Sequence, residues 1–320
     1  MPPPSDGNRA AAVVIEFRNV GKTYTSLLGN SVKAVEEFSL QLHEGEIFGI
    51  AGPNGAGKTT LIAMMLGYLR PTRGTVEIDG LPARAYVEQN GIAYLSELIA
   101  IPPKWRAESA LVRYATLAGI AEPEIGSRVN YVIDKLGIAE HREKRIKALS
   151  KGNLQRLGLA QALLREERII VFDEPTHGLD PVWTQNFRGI VEELRRPDRT
   201  ILIASHNLDE LQRLADRVAI IDHGRLQRVV STRYEEEPSQ HAPTTIRYRL
   251  TVASGHERIR DVFPEAEDAG KGEFDVTVDN ILALNRALAD LISRGTLVLS
   301  VVPEHSVLEQ QFREAVGEAE

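Results

Sequence analysis

A glycine-rich stretch, GPNGAGKT from Gly52 to Thr59, limits what this chain can fold into more than any other feature. It follows the run EIFGIAG, which has the character of a strand, and opens the run TTLIAMML, which has the character of a helix. A glycine-rich loop between a strand and a helix is the P-loop pattern, in which backbone N–H groups surround a phosphate. The sequence therefore predicts an α/β fold built around a phosphate site.

Different residues of this loop would bind the phosphates of a nucleotide and its metal ion. Glycines let the backbone approach the β-phosphate, Lys58 would reach the β- and γ-phosphates, and the Thr59 hydroxyl would ligate Mg²⁺. The predicted nucleotide ligands of the loop are Asn54, Gly55, Ala56, Gly57, Lys58, Thr59 and Thr60.

Two carboxylates follow the apolar run RIIVF. Asp173 would hold Mg²⁺ through water, and Glu174 would orient and deprotonate an attacking water molecule. Two such residues at a strand end also fit a solvated turn, but the P-loop favours the catalytic interpretation. His206 ends the next strand, TILIASH, where a parallel sheet would bring it near Lys58 and Asp173. A lone histidine is commonly structural, so its catalytic role depends on these neighbours.

The bulk composition excludes several classes of function. The 320 residues are 42% apolar and 26% charged, as in a globular protein of about two domains. The net charge of −7 argues against a general nucleic-acid binder, and the absence of cysteine excludes disulfides, thiolate metal sites and cysteine nucleophiles. The opening MPPPSDGNRAAA lacks the pattern of a signal peptide and predicts a flexible tail over residues 1–12. No apolar run approaches the roughly 18 to 20 residues that span a bilayer.

Strand and helix patterns divide the rest of the chain. Residues 13–230 contain strand-rich and helical segments, with a helical insert at about 97–164. The runs RIIVFDE, TILIASH and RVAIIDHG are apolar throughout and alternate with helices, which predicts a parallel sheet covered on both faces. Residues 231–245 are polar, acidic and proline-containing, as expected of a linker. Residues 246–320 predict a small α+β domain.

The stretch LSKGNLQR predicts a second anion site, at a helix start. The turn from Ser150 to Asn153 leads into an amphipathic helix, whose first N–H groups are unpaired and carry partial positive charge. Because the P-loop already supplies a phosphate site, this turn needs another explanation.

Taken together, the P-loop, LSKGNLQR, VFDEPTHGLDP and ASHNLDE resemble an ABC-transporter ATP-binding subunit in order and spacing, over residues 13–230. The resemblance implies a P-loop NTPase fold with a parallel-sheet core, an antiparallel β subdomain and a helical insert, here followed by the small α+β domain. It implies ATP and Mg²⁺ as cofactors, a second ATP-binding subunit that is identical or a paralogue, and separate transmembrane permease subunits. The chain would lie peripherally on the cytoplasmic face of the cell membrane.

The resemblance also implies roles for single residues. Ser150 and Gly152 belong to the signature turn, which faces the ATP of the second subunit, and Asp180 belongs to the D-loop. His206 corresponds to the switch histidine that contacts the γ-phosphate. Tyr24 resembles the aromatic residue that stacks on adenine, although simple packing explains a lone tyrosine near a strand end equally well. The predicted catalytic residues are Glu174, His206 and Lys58, and the predicted metal ligands are Thr59, Glu97 and Asp173.

Several residues depart from the family pattern. Lys151 and Asn153 stand where a second glycine and a glutamine are usual, and Glu97 stands where glutamine is usual. A carboxylate at this position would ligate Mg²⁺ more strongly than an amide but would repel the γ-phosphate without the metal. His177 is predicted to be a solvated turn residue. Because Glu174 and the switch histidine are present, we predict active ATP hydrolysis.

The leading functional prediction is an exporter's ATPase subunit with no nucleic-acid partner. The direction of transport rests on the YLSE…PPKW loop and on a C-terminal domain ending PEHSVLEQQF, both similar to exporters of drugs, antibiotics, lipids or polysaccharide. That domain fits equally well as an aid to dimerisation alone. The alternative is a non-transport cassette ATPase acting on nucleic acid or ribosomes, and a small-molecule kinase would leave the signature turn unexplained.

Overall fold

The chain divides into two compact units between Thr232 and Arg233. The predicted tail and the predicted linker, residues 1–12 and 231–245, fall almost entirely outside the described residues. The computed structural model describes residues 12–25, 31–232, 246–304 and 306–317.

The first unit contains two sheets and seven helices among its described residues. Its strands and helices are β1 (Val13–Thr25), β2 (Ser31–His43), β3 (Ile47–Ala51), α1 (Lys58–Met65), β4 (Arg73–Ile78), β5 (Leu81–Pro82), α2 (Ala83–Asn90), β6 (Ala93–Leu95), α3 (Ala107–Leu117), α4 (Glu122–Lys135), α5 (Lys151–Ala162), β7 (Ile169–Asp173), α6 (Pro181–Leu194), β8 (Thr200–Ser205), α7 (Leu208–Leu214), β9 (Arg217–Asp222) and β10 (Arg225–Ser231).

The two sheets differ in strand direction. The first is antiparallel, with strand order β2-β1-β4-β5, and the second has the order β10-β9-β3-β8-β7-β6. In the second sheet all neighbours pair in parallel except β9 and β10. Every residue of β3, β7 and β8 is buried, because these strands are covered on both faces. The predicted fold class, a parallel-sheet core with an antiparallel β subdomain, is confirmed.

Helix α1 lies in the core that joins the two sheets. Its Leu61 and Ile62 belong to one buried cluster with Phe17 and Phe38 of the antiparallel sheet and Phe48 of the parallel sheet. Burying one such side chain contributes roughly 1.5–3 kcal/mol to stability. The P-loop, which precedes α1, is therefore held between a central strand and a helix packed on both sides.

Helix α5 makes a close approach to the strand that precedes the helical insert. A Cβ atom at Gly158 would lie 2.5 Å from Ile99 Cδ1 and 2.9 Å from Leu95 Cδ1. A larger residue would require the ends of the Ile99 and Leu95 side chains to shift, so glycine allows α5 to pack closely against β6 and the loop that follows it.

The C-terminal unit has its own sheet and its own core, which includes Leu250, Ile259, Val276 and Leu291. The strands and helices of this unit are β11 (Ile246–Ser254), α8 (Ile259–Val262), β12 (Glu267–Gly270), β13 (Glu273–Val278), α9 (Ile281–Ser293), β14 (Leu297–Pro303) and α10 (Val307–Val316). The sheet is antiparallel, with strand order β12-β13-β11-β14. Strand β12 has no apolar pattern and all of its residues are exposed, so the sequence did not predict it.

Across the described ranges of both units, no helix combines the length and the apolar character needed to cross a membrane.

Candidate nucleotide-binding and catalytic site

The P-loop turns tightly between β3 and α1. A Cβ atom at Gly52 would lie 2.5 Å from the carbonyl oxygen of Ile221, and one at Gly57 would lie 2.7 Å from that of Ala34. Gly57, at the start of α1, also has a φ of 104°, which favours glycine. The buried Lys58 ammonium donates hydrogen bonds to the carbonyl oxygens of Gly52, at 2.6 Å, and of Pro53, at 3.3 Å.

Asp173 ends β7 beside the start of α1 and is only 1% exposed. The Thr59 hydroxyl donates to Asp173 Oδ2 at 3.4 Å, whereas Oδ1 is buried and has no hydrogen-bond partner among the described residues. Burial, together with the negative charges of Glu97 and Glu174, raises the pKa of Asp173 to about 6. An unpaired carboxylate oxygen beside a hydroxyl is a donor set that fits Mg²⁺.

The position of Glu174 is fixed by its backbone conformation and by contacts of its carboxylate with Ser205, His206 and Lys58. Its backbone has a φ of 48°, in the left-handed region that disfavours non-glycine residues. Its carboxylate accepts hydrogen bonds from the backbone N–H of His206 at 3.0 Å, from the His206 ring at 2.8 Å and from the Ser205 hydroxyl at 3.3 Å. It also lies 3.7 Å from Lys58 Nζ. Because an ionised carboxylate only accepts, His206 Nδ1 carries the hydrogen.

Glu97 lies two residues after β6 and is exposed. The negative charge of Glu97 nevertheless acts on the buried site, where it raises the pKa of Asp173 together with burial and the charge of Glu174. The structure therefore brings together Lys58, Thr59, Asp173, Glu174 and His206, with Glu97 in electrostatic reach.

The other predicted site residues have separate contacts. Ser150 and Asp180 are the N-caps of α5 and α6, and each accepts a hydrogen bond from a backbone N–H three residues later. Gly152 lies beside Gly178, and the Tyr24 ring lies under Lys22 Nζ, which is 5.5 Å from its centroid. Within the described residues, no hydrogen bond or ion pair links these four predicted residues to the P-loop.

Sequence reasoning missed Gln155, a buried residue of α5. Its side-chain amide donates to the carbonyl oxygens of Glu174, at 3.2 Å, and of Pro175, at 3.0 Å. It also missed Ser205, whose hydroxyl contacts the carboxylate of Glu174. A polar residue among the apolar positions of α5 was the available signal for Gln155, because buried amides need partners.

The departures from the family pattern contact one another. Lys151 Nζ forms a hydrogen bond with His177 Nε2, and the lysine stem lies over Gly178. The His177 ring in turn packs edge-on against the His206 ring, with 6.5 Å between centroids. His177 is exposed as predicted, yet its ring contacts both Lys151, at the start of α5, and His206. This connection was not predicted.

Comparison with known proteins identifies the family of this chain. The family model described as ABC transporter matches residues 35–177. The ABC transporter ATP-binding protein NatA of Bacillus subtilis is 35% identical over 215 residues, covering 65% of this chain and 87% of NatA. This chain belongs to the ABC transporter ATP-binding proteins. The bacitracin transport ATP-binding protein BcrA of Bacillus licheniformis is 28% identical over 318 residues, which are 96% of this chain and 98% of BcrA.

A solved structure supports the fold of this ABC transporter subunit. A dimeric ATP-binding cassette in a post-hydrolysis state, bound to ADP and Pi, superposes with a TM-score of 0.64 at 22% identity. The superposition covers 69% of this chain and 100% of that chain. The predictions of an ATP-binding, ATP-hydrolysing transporter subunit are confirmed, and transport is favoured over the nucleic-acid alternative. ABC ATP-binding subunits dimerise and work with membrane permease components.

Proposed function

We propose that this subunit powers export of a substrate through separate transmembrane permease subunits, docked on the cytoplasmic face of the cell membrane. The similarity to a bacitracin transport protein supports this proposal, because it extends over the C-terminal unit as well as the ATPase unit. We place the proposed contact with the permease at the loop after β6, which contains Glu97 and the exposed Leu98.

The proposed ATP site uses Lys58 and the P-loop N–H groups for the phosphates, and Thr59 and Asp173 for Mg²⁺, with Glu97 acting from the following loop. The observation that favours the metal is the buried, unpartnered Oδ1 of Asp173. When bound, Mg²⁺ would neutralise phosphate charge.

Glu174 is the proposed general base. The single observation that carries the ATPase mechanism is its carboxylate, held by His206 and Ser205 and facing Lys58. A carboxylate that only accepts hydrogen bonds can orient a water molecule and take its proton. His206 Nδ1–H holds the carboxylate, and the other ring nitrogen would donate to the γ-phosphate when the imidazole is protonated on both nitrogens.

The proposed dimer explains the signature turn. Ser150, Gly152 and Asp180 make no polar contact with the P-loop among the described residues, although α5 begins with unpaired N–H groups. In a head-to-tail pair, these groups would receive the γ-phosphate that the second subunit binds. The second subunit is either identical or a paralogue.

Glu174→Gln tests the catalytic assignment. We expect ATP hydrolysis to fall at least about 100-fold, because the amide cannot accept the proton, while ATP binding is retained. The matched control is Glu192→Gln on the exposed side of α6, where the side chain is 54% exposed. Turnover at the parental rate in the Glu174 variant would contradict the assignment.

A pull-down tests the transport partner. Tagged Glu174→Gln protein is recovered with ATP from detergent-solubilised native membranes, and co-purifying chains are identified by mass spectrometry. Recovery of a polytopic membrane protein supports the proposal. Recovery of ribosomal or nucleic-acid-binding proteins without a membrane subunit would contradict it.

A further inference from the structure

A charged cavity, separate from the nucleotide site, lies at the edge of the parallel sheet opposite the P-loop. Its volume is about 130 Å³, and it is bordered by α4, the end of α5 and the connection from α6 to β8. Strands β7 and β8 start here, where Ile169 pairs with Thr200, and they end at Asp173 and Ser205 in the ATP site. The cavity is therefore separate from the nucleotide site.

Positive charge dominates the lining of this cavity. The two lining carboxylates are Glu166 and Glu193. Glu166 is shared between Arg128, at 3.4 Å, and Arg196, at 3.3 Å, and Glu193 pairs with Lys135. The cationic lining residues are Arg128, Lys135, Arg165, Arg196 and Arg199.

Arg199 is the most informative of these cations, because it is only 5% exposed. Its Nε and Nη1 donate to the carbonyl oxygens of Glu167 and Leu194, at 3.0 and 3.2 Å. Among the described residues no carboxylate lies within ion-pair distance of its guanidinium, and Nη2 has no acceptor. A buried charge without a counter-ion is costly. Burial and the charge of Arg196 accordingly lower the pKa of Arg199.

We propose that this cavity binds a phosphate group, with Arg199 and Arg196 as its ligands. Guanidinium groups bind phosphate through paired hydrogen bonds, and the free Nη2 of Arg199 supplies a donor. One water needs roughly 10–15 Å³ on the same measure, so the cavity has room for a tetrahedral oxyanion.

The phosphate group is either free inorganic phosphate or part of a phosphomonoester. An open groove of about 490 Å³ adjoins the cavity and shares Arg128, Tyr131, Arg165 and Glu166 with it. Arg128 and Lys135 both lie against the Tyr131 ring, at 4.9 and 5.8 Å from its centroid. This groove would accommodate the organic part of an ester.

Occupancy would connect two parts of the ATPase unit. Arg128 belongs to the helical insert, whereas Arg196 and Arg199 belong to the connection that enters β8. An anion held by Arg196 and Arg199 would attract the guanidinium of Arg128 across the same cavity, and its binding would stabilise the folded protein by mass action.

The test measures phosphate binding in the full chain with the P-loop disabled. Because the P-loop also binds phosphate, Lys58→Ala is the background. Inorganic phosphate and glycerol 3-phosphate are titrated in separate arms, at constant ionic strength, by calorimetry and by thermal melting. We expect saturable binding of at least one ligand together with a rise in melting temperature. Tighter binding of the ester assigns the groove to its organic part, and equal or weaker binding assigns the cavity to free phosphate.

Two arginine variants decide whether this cavity is responsible. We expect Arg196→Gln, at a half-exposed position, to raise the Kd about tenfold or more. Arg84→Gln, an exposed change of equal charge on α2, should leave the Kd unchanged. Arg199→Gln should abolish binding if the variant folds. Absence of saturable binding in the Lys58→Ala background, or equal affinities of the Arg196 and Arg84 variants, would overturn the proposal.

Discussion

The buried carboxylate of Asp173 suits a metal ion, but in the absence of a metal its ionised form destabilises the folded protein. Its carboxylate is buried, one oxygen is unpaired, and two further carboxylates act on it, so its ionised form is disfavoured until a cation arrives. The position of this residue is predictable from sequence, because the strand and the following Glu174 define it. Its electrostatics are not, since they depend on how closely Glu97 approaches from another loop.

Because the pKa of Asp173 is raised, we predict that this residue lowers the free energy of unfolding of the metal-free protein by an amount that depends on pH. The pKa of Asp173 is about 6 in the folded chain, against an ordinary value of 3.8 in the unfolded chain, so between these pH values the folded state holds a proton that the unfolded state has lost. Its contribution to stability is complete below about pH 4 and is lost as pH rises through 6. Asp173→Asn should therefore gain stability relative to the parent over this range, reaching about 3 kcal/mol. Chemical denaturation with chelator from pH 4.5 to 7.5 measures the difference.

The same experiment has an internal check at the neighbouring carboxylate. Glu97→Gln removes a charge that raises the pKa of Asp173 in the folded chain, so the loss of stability should be complete at a lower pH and should be smaller. Glu122→Gln, at the exposed start of α4, should leave the curve unchanged. A difference between parent and Asp173→Asn that does not vary with pH would refute the electrostatic explanation.

Two interactions of helix α5 with its surroundings define its position and its proposed role. Ser150 caps its start, and Gly158 allows its close approach to β6. The sequence predicts the helix and the anion-binding character of its first turn, because both follow from local pattern. The long-range contacts of Gln155 and Gly158 cannot be predicted locally, since they join residues that are distant along the chain.

Ser150→Asp separates capping from phosphate binding. Aspartate caps a helix as well as serine does, so thermal stability should be retained. Its charge would face the γ-phosphate of the second subunit, and we expect ATP hydrolysis to fall at least about tenfold. Ser306→Asp, the equivalent cap of α10 in the C-terminal unit, should leave hydrolysis unchanged. Parental turnover in the Ser150 variant would remove the start of α5 from the ATP site.

Gly158→Ala tests the close approach of α5. The added methyl group meets Ile99 and Leu95 at less than 3 Å, so overpacking should outweigh the gain in helix propensity. We expect a net destabilisation of about 1 kcal/mol by chemical denaturation. Gly126→Ala on α4, where nothing lies within 4 Å of the added atom, should instead stabilise by about 0.5–1 kcal/mol. Equal changes in the free energy of unfolding for the two variants would show that the contacts around Gly158 can adjust to the added methyl group without loss of stability.

At the scale of the whole molecule, each unit buries a core of its own. Sequence patterns predict both units, because alternating apolar residues in β11 and β13 resemble a strand pattern whatever precedes them. They do not predict β12, which pairs through its backbone and buries no side chain. Backbone pairing of this kind leaves no trace in hydrophobicity.

Separate cores predict two unfolding transitions in calorimetry. Mg-ATP should raise the melting temperature of the transition that belongs to the first unit and leave the other unchanged, because ligand stabilises only the unit that binds it. At 100 times the Kd the expected stabilisation is about 2.7 kcal/mol. Glu174→Gln slows consumption of ATP during the scan, and Lys58→Ala is the non-binding control. A single transition that shifts as a whole would contradict independent units.

The hydrogen bonds of Gln155 have a further meaning for a pair of subunits. Its amide holds the backbone of Glu174, and its helix begins at the turn that is proposed to face the ATP of the other subunit. If ATP at one site changes the binding free energy of ATP at the other through this helix, the second ATP changes that of the first by the same amount, because coupling between binding sites is reciprocal. In such a dimer, a mutation that changes this coupling would change the influence of each site on the other by the same free energy.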